Sequence, residues 1–229
     1  MTLRRIIVGP LHTNCWAVHA PGERQALLVD PGADGDRVLD AVRDLDVVAI
    51  VLTHAHFDHV LAVPEVAREL DVPVLAHPAD APVWPNELEH LRRHGHFDAG
   101  TDTAHLLAAD PAALTPVAGQ TLWNGHTEPV HDGQRLTVGG LTATVLHTPG
   151  HTPGGLTLAL PGNLLTGDTL FPGGPGLTGW PLSDFDTIMR SVRRLLAFGP
   201  DTAIHPGHGP STTVDAELPH LEEWQRRGW

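Results

Sequence analysis

The stretch Val47-Val48-Ala49-Ile50-Val51-Leu52-Thr53-His54-Ala55-His56-Phe57-Asp58-His59 decides how the rest of the chain is read. Its first half is a continuous apolar and mostly β-branched run, the pattern of a strand buried on both faces. Its second half packs three imidazoles and a carboxylate into one short loop at the carboxyl end of that strand. Sheets of α/β type present functional groups at this end. Neutral imidazole and carboxylate are usual ligands of zinc. Crowded together without a cation, they would compete for few hydrogen-bond donors, so the residue types point to a metal site.

Working outward, residues 3–8, 15–19 and 26–29 read as strands separated by the turn dipeptides Gly9-Pro10 and Pro21-Gly22, which predicts a meander. Residues 34–45 place Val38, Leu39, Val42 and Leu45 at helical spacing. Pro64 opens a short helix to Leu70, with proline in its first turn, and residues 72–76 read as a strand that ends this half near His77-Pro78. Residues 83–127 are irregular, with Trp84, Trp123, a helix-like piece at 86–93 and breaks at His94-Gly95 and Ala99-Gly100. They read as an insertion or lid over the site, since loops of this length in compact domains are commonly functional. Regular pattern returns in strands at 135–138, 141–147, 156–160 and 163–166. An amphipathic helix at 184–198 carries Phe185, Ile188, Val192, Leu195 and Leu196 on one side. A last strand at 202–204 and a helix at 215–227 close the chain. Two runs of strands with flanking helices predict two sheets packed face to face with helices outside, in a single domain spanning 1–229.

Composition narrows the partners. Fourteen Lys and Arg against 27 Asp and Glu leave a net charge of −13, which argues against a nucleic-acid partner. A hydrophobic content of 41% describes a soluble globular chain, and no apolar run approaches a membrane span. Arg4-Arg5 is followed only by Ile6-Ile7-Val8, too short for a signal peptide, so a cytoplasmic location is expected. The lone Cys15 has no internal disulfide partner and reads as a small buried residue.

Three more polar spots fall at predicted strand ends: Thr148-Pro149-Gly150-His151-Thr152-Pro153-Gly154, Thr166-Gly167-Asp168-Thr169, and His205-Pro206-Gly207-His208-Gly209. In each, glycine adjoins the polar residue and permits close backbone approach. With the loop at 54–59, this order of motifs resembles the metallo-β-lactamase superfamily, and within it the hydroxyacylglutathione hydrolase (glyoxalase II)-like branch, over most of residues 3–214. The resemblance implies an α+β fold, an αββα sandwich of two mixed sheets flanked by helices, with metals at one edge. It assigns His54, His56 and His151 to a first metal, Asp58, His59 and His208 to a second, and Asp168 as a bridge.

These nitrogen and oxygen donors suit zinc foremost, and also iron or manganese. Two divalent ions roughly 3.5 Å apart can share a water, lower its pKa toward 7 and aim the hydroxide at a carbonyl. Asp58 could orient the attacking water. A thiolate, with a parent pKa of about 8.5, departs without a dedicated acid, so the expected substrate is a small-molecule thioester. The alternative is a mononuclear iron enzyme resembling persulfide dioxygenase, using His54, His151 and Asp168; a non-catalytic metal scaffold is a third reading.

The chain departs from the glutathione-handling members in two places. Where many carry Gly-Arg-Thr-Asp after the bridging Asp, this chain has Gly176-Leu177-Thr178-Gly179, and it contains no Tyr and only 21 residues after His208. The resemblance therefore carries the hydrolytic core rather than the glutathione-holding elements. His90 and His94, at i and i+4, read as an exposed helix face. His205 reads as a support of the last ligand loop, and His12, His77, His126 and His147 as candidate lining. Trp84, Trp123 and Phe171 are candidates for an apolar wall or for ordinary core.

Overall fold

The computed structural model describes residues 1–84 and 127–228. The segment read as an insertion or lid lies, apart from Val83, Trp84 and Thr127, outside the described residues. So do the helix at 86–93, the His90/His94 pair, Trp123 and His126.

The meander is present as β1 (Thr2–Val8), β2 (Thr13–His19) and β3 (Gln25–Val29), paired antiparallel. Helix α1 (Gly35–Val42) then leads to β4 (Asp46–Val51), which lies parallel to β3. Two short helices, α2 (Phe57–Val60) and α3 (Val63–Leu70), lead to β5 (Val74–Ala76), parallel to β4. The first sheet does not end there as expected. Its order is β1-β2-β3-β4-β5-β6, and β6 (Glu128–Pro129) adds a sixth strand parallel to β5. Two residues, one of them proline, leave no alternation by which a sequence reading could find such a strand.

The second sheet runs β14-β13-β10-β9-β8-β7, with β7 (Arg135–Val138), β8 (Leu141–His147), β9 (Leu156–Leu160), β10 (Asn163–Gly167), β13 (Ala203–Pro206) and β14 (Thr212–Thr213). Only the β10–β13 pair is parallel. A small ribbon, β11 (Leu170–Phe171) with β12 (Gly174–Pro175), follows β10. Between β12 and β13 the amphipathic stretch forms α4 (Phe185–Leu196), started by the Asp184 side chain accepting from the Thr187 N–H at 2.7 Å. The closing helix expected at 215–227 is instead α5 (Val214–Glu217), a 3₁₀ turn (Leu218–His220) and α6 (Leu221–Arg227). Pro219 is the cause: it has no N–H to give, and its ring clashes with the preceding turn of an α-helix.

Strand alternation sorts the apolar side chains into three layers. Leu27, Val29 and Val51 of the first sheet meet Val145, Leu158 and Leu165 of the second in a buried interior. Leu28, Ile50 and Leu52 face the other way and are covered by Val38 and Val42 of α1 and Val63 and Val66 of α3. Leu164 and Ile204 cover the far side of the second sheet against Ile188, Val192 and Leu195 of α4 and Trp224 of α6. The result is the expected helix–sheet–sheet–helix sandwich. Cys15 is buried on the helix-facing side of the first sheet, and burial pushes its thiol pKa well up, as befits an inert packing residue. No helix among the described residues is long and apolar enough to cross a membrane.

Candidate metal centre

β8, β10 and β13 point the same way in the second sheet, as do β3, β4 and β5 in the first. His54 follows β4, His151 follows β8, Asp168 follows β10 and His208 follows β13. Asp58 and His59 sit on α2, directly after the first loop. The structure thus brings all seven sequence-predicted donors to one edge of the sandwich.

Their ligand atoms form three overlapping groups, each within 4.8 Å: His54, His56 and His151; His54, His59 and Asp168; Asp58, His59 and His208. His54 Nε2 lies 3.1 Å from His56 Nδ1, and His59 Nε2 lies 3.3 Å from His208 Nε2. Asp168 reaches both sides, with Oδ1 at 3.4 Å from His59 Nε2 and Oδ2 at 3.6 Å from both His151 Nε2 and His208 Nε2. Asp58 Oδ2 stands 3.1 Å from His208 Nε2.

The outward nitrogens of four histidines are tied down, and this fixes which nitrogen is left facing inward. His59 Nδ1 donates to Asp30 Oδ2 at 2.8 Å, His151 Nδ1 to the Leu177 carbonyl at 2.6 Å, and His208 Nδ1 to the Leu11 carbonyl at 3.0 Å. Thr53 Oγ1 gives its proton to Asp30 Oδ2 at 2.5 Å and so accepts from His54 Nδ1 at 3.1 Å. In the neutral rings, Nε2 of all four therefore carries a lone pair directed at the cluster. Two buried atoms there, His151 Nε2 and Asp168 Oδ1, have no hydrogen-bond partner. Buried polar atoms are rarely left so, and a divalent cation bound by these donors would satisfy both.

The electrostatics divide the centre in two. Burial drives the pKa of His54 well down, that of His56 to about 3, and that of His151 down, so these three rings are neutral. Burial also opposes charge on His59 and His208, but Asp58 and Asp168 outweigh it and raise both. Burial pushes the Asp58 carboxyl up, yet His59 and His208 overcome this and hold it at about 2. Asp168, likewise pushed up by burial, is drawn well below the carboxylate range by His208 and His59. The two carboxylates thus make this side the one that favours positive charge, whether a proton or a bound cation supplies it.

Asp30 and Thr53 were not among the expected site residues. The signal was present, since Asp30-Pro31-Gly32 repeats at the end of β3 the layout of a polar residue beside glycine at a strand end. Asp30 adopts φ 51°, a left-handed conformation that Asp tolerates better than most residues. Thr13 was missed as well; its hydroxyl donates to Asp58 Oδ2 at 2.9 Å.

Of the other candidates, Phe171 stacks over His208 with ring centroids 6.4 Å apart, whereas Trp84 packs against the outer core of the first sheet. His205 bonds Ser211 and Asn163 and meets the Trp16 ring edge-on, so it supports the loop as expected. His77 and His147 stack on each other at 3.9 Å, and His147 Nε2 lies 2.8 Å from the Pro153 carbonyl, outside the donor groups. His12 occupies a left-handed turn position.

Gly207 shows how tightly the backbone closes on the centre. A Cβ there would lie 2.1 Å from Asp168 Oδ1 and 2.7 Å from His59 Cε1. Gly207→Ala is expected to displace the Asp168 carboxylate and weaken the binding of a divalent cation by about 10-fold or more, read by competition with a chromophoric chelator. Unchanged affinity would refute it.

A family model for the metallo-beta-lactamase superfamily matches residues 8–208. The chain is 32% identical over 222 residues to the probable metallo-hydrolase YqgX of Bacillus subtilis, covering 95% of this chain and 94% of that protein. It is 30% identical over 223 residues to the hydroxyacylglutathione hydrolase GloC of Haemophilus influenzae, covering 95% of each. A solved structure, TTHA1623 in a di-iron-bound form, is similar at a TM-score of 0.73 and 33% identity, over 94% of this chain and 96% of that one. With the family model spanning every strand end that carries a donor, the chain belongs to the metallo-beta-lactamase superfamily.

Proposed function

We propose that the protein is a metal-dependent hydrolase of thioesters of small thiols. Its donors would hold two divalent cations, zinc foremost, one by His54, His56 and His151 and the other by Asp58, His59 and His208, with Asp168 available to both. The observation that carries this reading is the convergence of seven donors in overlapping groups, more than the three or four that one tetrahedral ion takes from protein. The di-iron-bound neighbour supports a pair of metals and keeps iron as an alternative. Similarity to a hydroxyacylglutathione hydrolase supports an acyl-thiol substrate.

When bound, two such ions polarise a carbonyl oxygen and bring the pKa of a shared water toward 7. The chain's own residues do the rest. Burial keeps His54, His56 and His151 neutral, and the bonds of His54 and His151 through Nδ1 leave their Nε2 lone pairs aimed inward. Asp58 stays ionised, and with Oδ2 fixed by the Thr13 hydroxyl it orients the attacking water. Phe171, stacked over His208, offers an apolar contact to the acyl group. The departing thiolate needs no acid from the protein, its parent pKa being about 8.5.

Protein purified without added metal, analysed for bound ions and assayed with S-lactoylglutathione and simple acyl thioesters, tests this. Turnover that rises with metal content toward two ions per chain is expected. Intact thioesters despite two bound ions would refute the proposal. Oxygen uptake on adding glutathione persulfide, with one iron bound and no hydrolysis, would establish the dioxygenase reading in its place.

A further inference from the structure

Asp80, at the end of the 3₁₀ turn Pro78–Asp80 that follows β5, is a carboxylate only 3% exposed and belongs to none of the donor groups. Its Oδ2 accepts from the Ala55 backbone N–H at 2.9 Å and from the Thr152 hydroxyl at 3.0 Å. Its Oδ1 accepts from the Gly154 N–H at 2.5 Å. Ala55 stands between His54 and His56, and Thr152 follows His151. One carboxylate therefore laces together the two loops that carry the first three imidazoles, although these loops come from different sheets. The fit is close: a Cβ on Gly154 would lie 2.7 Å from both Asp80 Cγ and Oδ1. Burial pushes the Asp80 carboxyl up to about 6, against the lowering effect of its three hydrogen bonds, so it accepts all three as an anion at neutral pH.

The other group of donors rests on a separate brace. Thr13 Oγ1 holds Asp58, the Leu11 carbonyl holds His208, and Asn14 Nδ2 donates to the carbonyls of Pro206 at 2.9 Å and Gly209 at 3.0 Å. These bonds all come from the turn before β2 and from β2 itself, and none involves Asp80.

We infer that Asp80 is a positioning residue for one of the two cations: it sets the spacing of His54, His56 and His151, and so the affinity of that side, while Asp58, His59 and His208 are held by Thr13, Asp30 and the Leu11 carbonyl instead. This rests on the two-ion reading above. Ligand placement by such outer carboxylates is worth about 10–100-fold in metal affinity.

The test compares the wild type with Asp80→Asn, which keeps the shape but turns an amide donor toward groups that are themselves donors, and with Thr152→Val, which removes one of the three bonds. Zinc content and competitive zinc titration are the readouts, with thermal melting of each metal-free protein as the fold control. In Asp80→Asn one ion is expected to bind about 10–100-fold more weakly while the other keeps its affinity. An anomalous-scattering map should show the loss at His54, His56 and His151. Thr152→Val is expected to weaken the same ion by a smaller factor, and it carries the test if Asp80→Asn does not fold. Two ions bound as in the wild type, or both weakened equally, would overturn the inference. If the wild type itself binds one ion, the two-ion reading falls, and the inference is judged on that ion: weakened binding in Asp80→Asn upholds it and unchanged binding overturns it.

Discussion

Asp168→Asn is expected to lower kcat/KM for thioester hydrolysis by about 10²–10³-fold, the cost typical of removing one preorganised electrostatic group from a reaction centre. The substitution preserves volume and leaves β10 untouched, so the fold should persist by circular dichroism. What changes is charge. Asp168 is the one donor carboxylate within 3.6 Å of histidines from both sides of the centre, with His59, His151 and His208 all facing it. An amide would direct one N–H toward those rings and supply a single neutral acceptor, so bound zinc should fall below two ions per chain together with activity. A variant retaining both ions and wild-type turnover would show that Asp168 does not link the two sides.

Metal removal should produce the largest change in stability. A cation that binds the folded chain alone stabilises it by about 4.1 kcal/mol when present at 1,000 times its dissociation constant. For a chain of this size, each kcal/mol moves the melting temperature by roughly 2–4 °C. Chelation is therefore expected to lower it by about 8–16 °C for each such ion, with recovery on adding zinc. The physical origin lies in the buried donors: without a cation, His151 Nε2 and Asp168 Oδ1 remain unpaired, and two carboxylates face each other across the centre with only imidazoles to offset their charge. Differential scanning calorimetry with and without chelator checks this. Coincident melting curves for protein shown to bind metal would refute it.

Much of the fold was legible because its signals are local. The β-branched run at 47–52, the meander at the start and the apolar stripe at 184–198 each declare their own element, since period and turn residues act within a few positions. The donors in the His54–His59 loop were legible for the same reason. The strand β6 was not, because two residues carry no period and it exists by pairing with β5. The break at Pro219 was written in the sequence, where the amphipathic pattern around it overshadowed the missing N–H. Asp30 had a strand-end signal that was passed over, whereas Asp80 escaped notice because an isolated polar residue acquires meaning only from distant partners. Asp80 touches the first loop across 25 positions and the second across 72 and 74.

The sequence by itself determined which atoms are available to the centre: five imidazoles and two carboxylates, set at the ends of strands that their own apolar patterns define. Only the tertiary structure decided how those atoms are presented. The acceptors that orient His59, His151 and His208 lie 29, 26 and 197 positions away from them. A side chain's chemistry travels with its residue, but its tautomer, its charge and its direction depend on neighbours that come close only when two separate sheets have packed against each other.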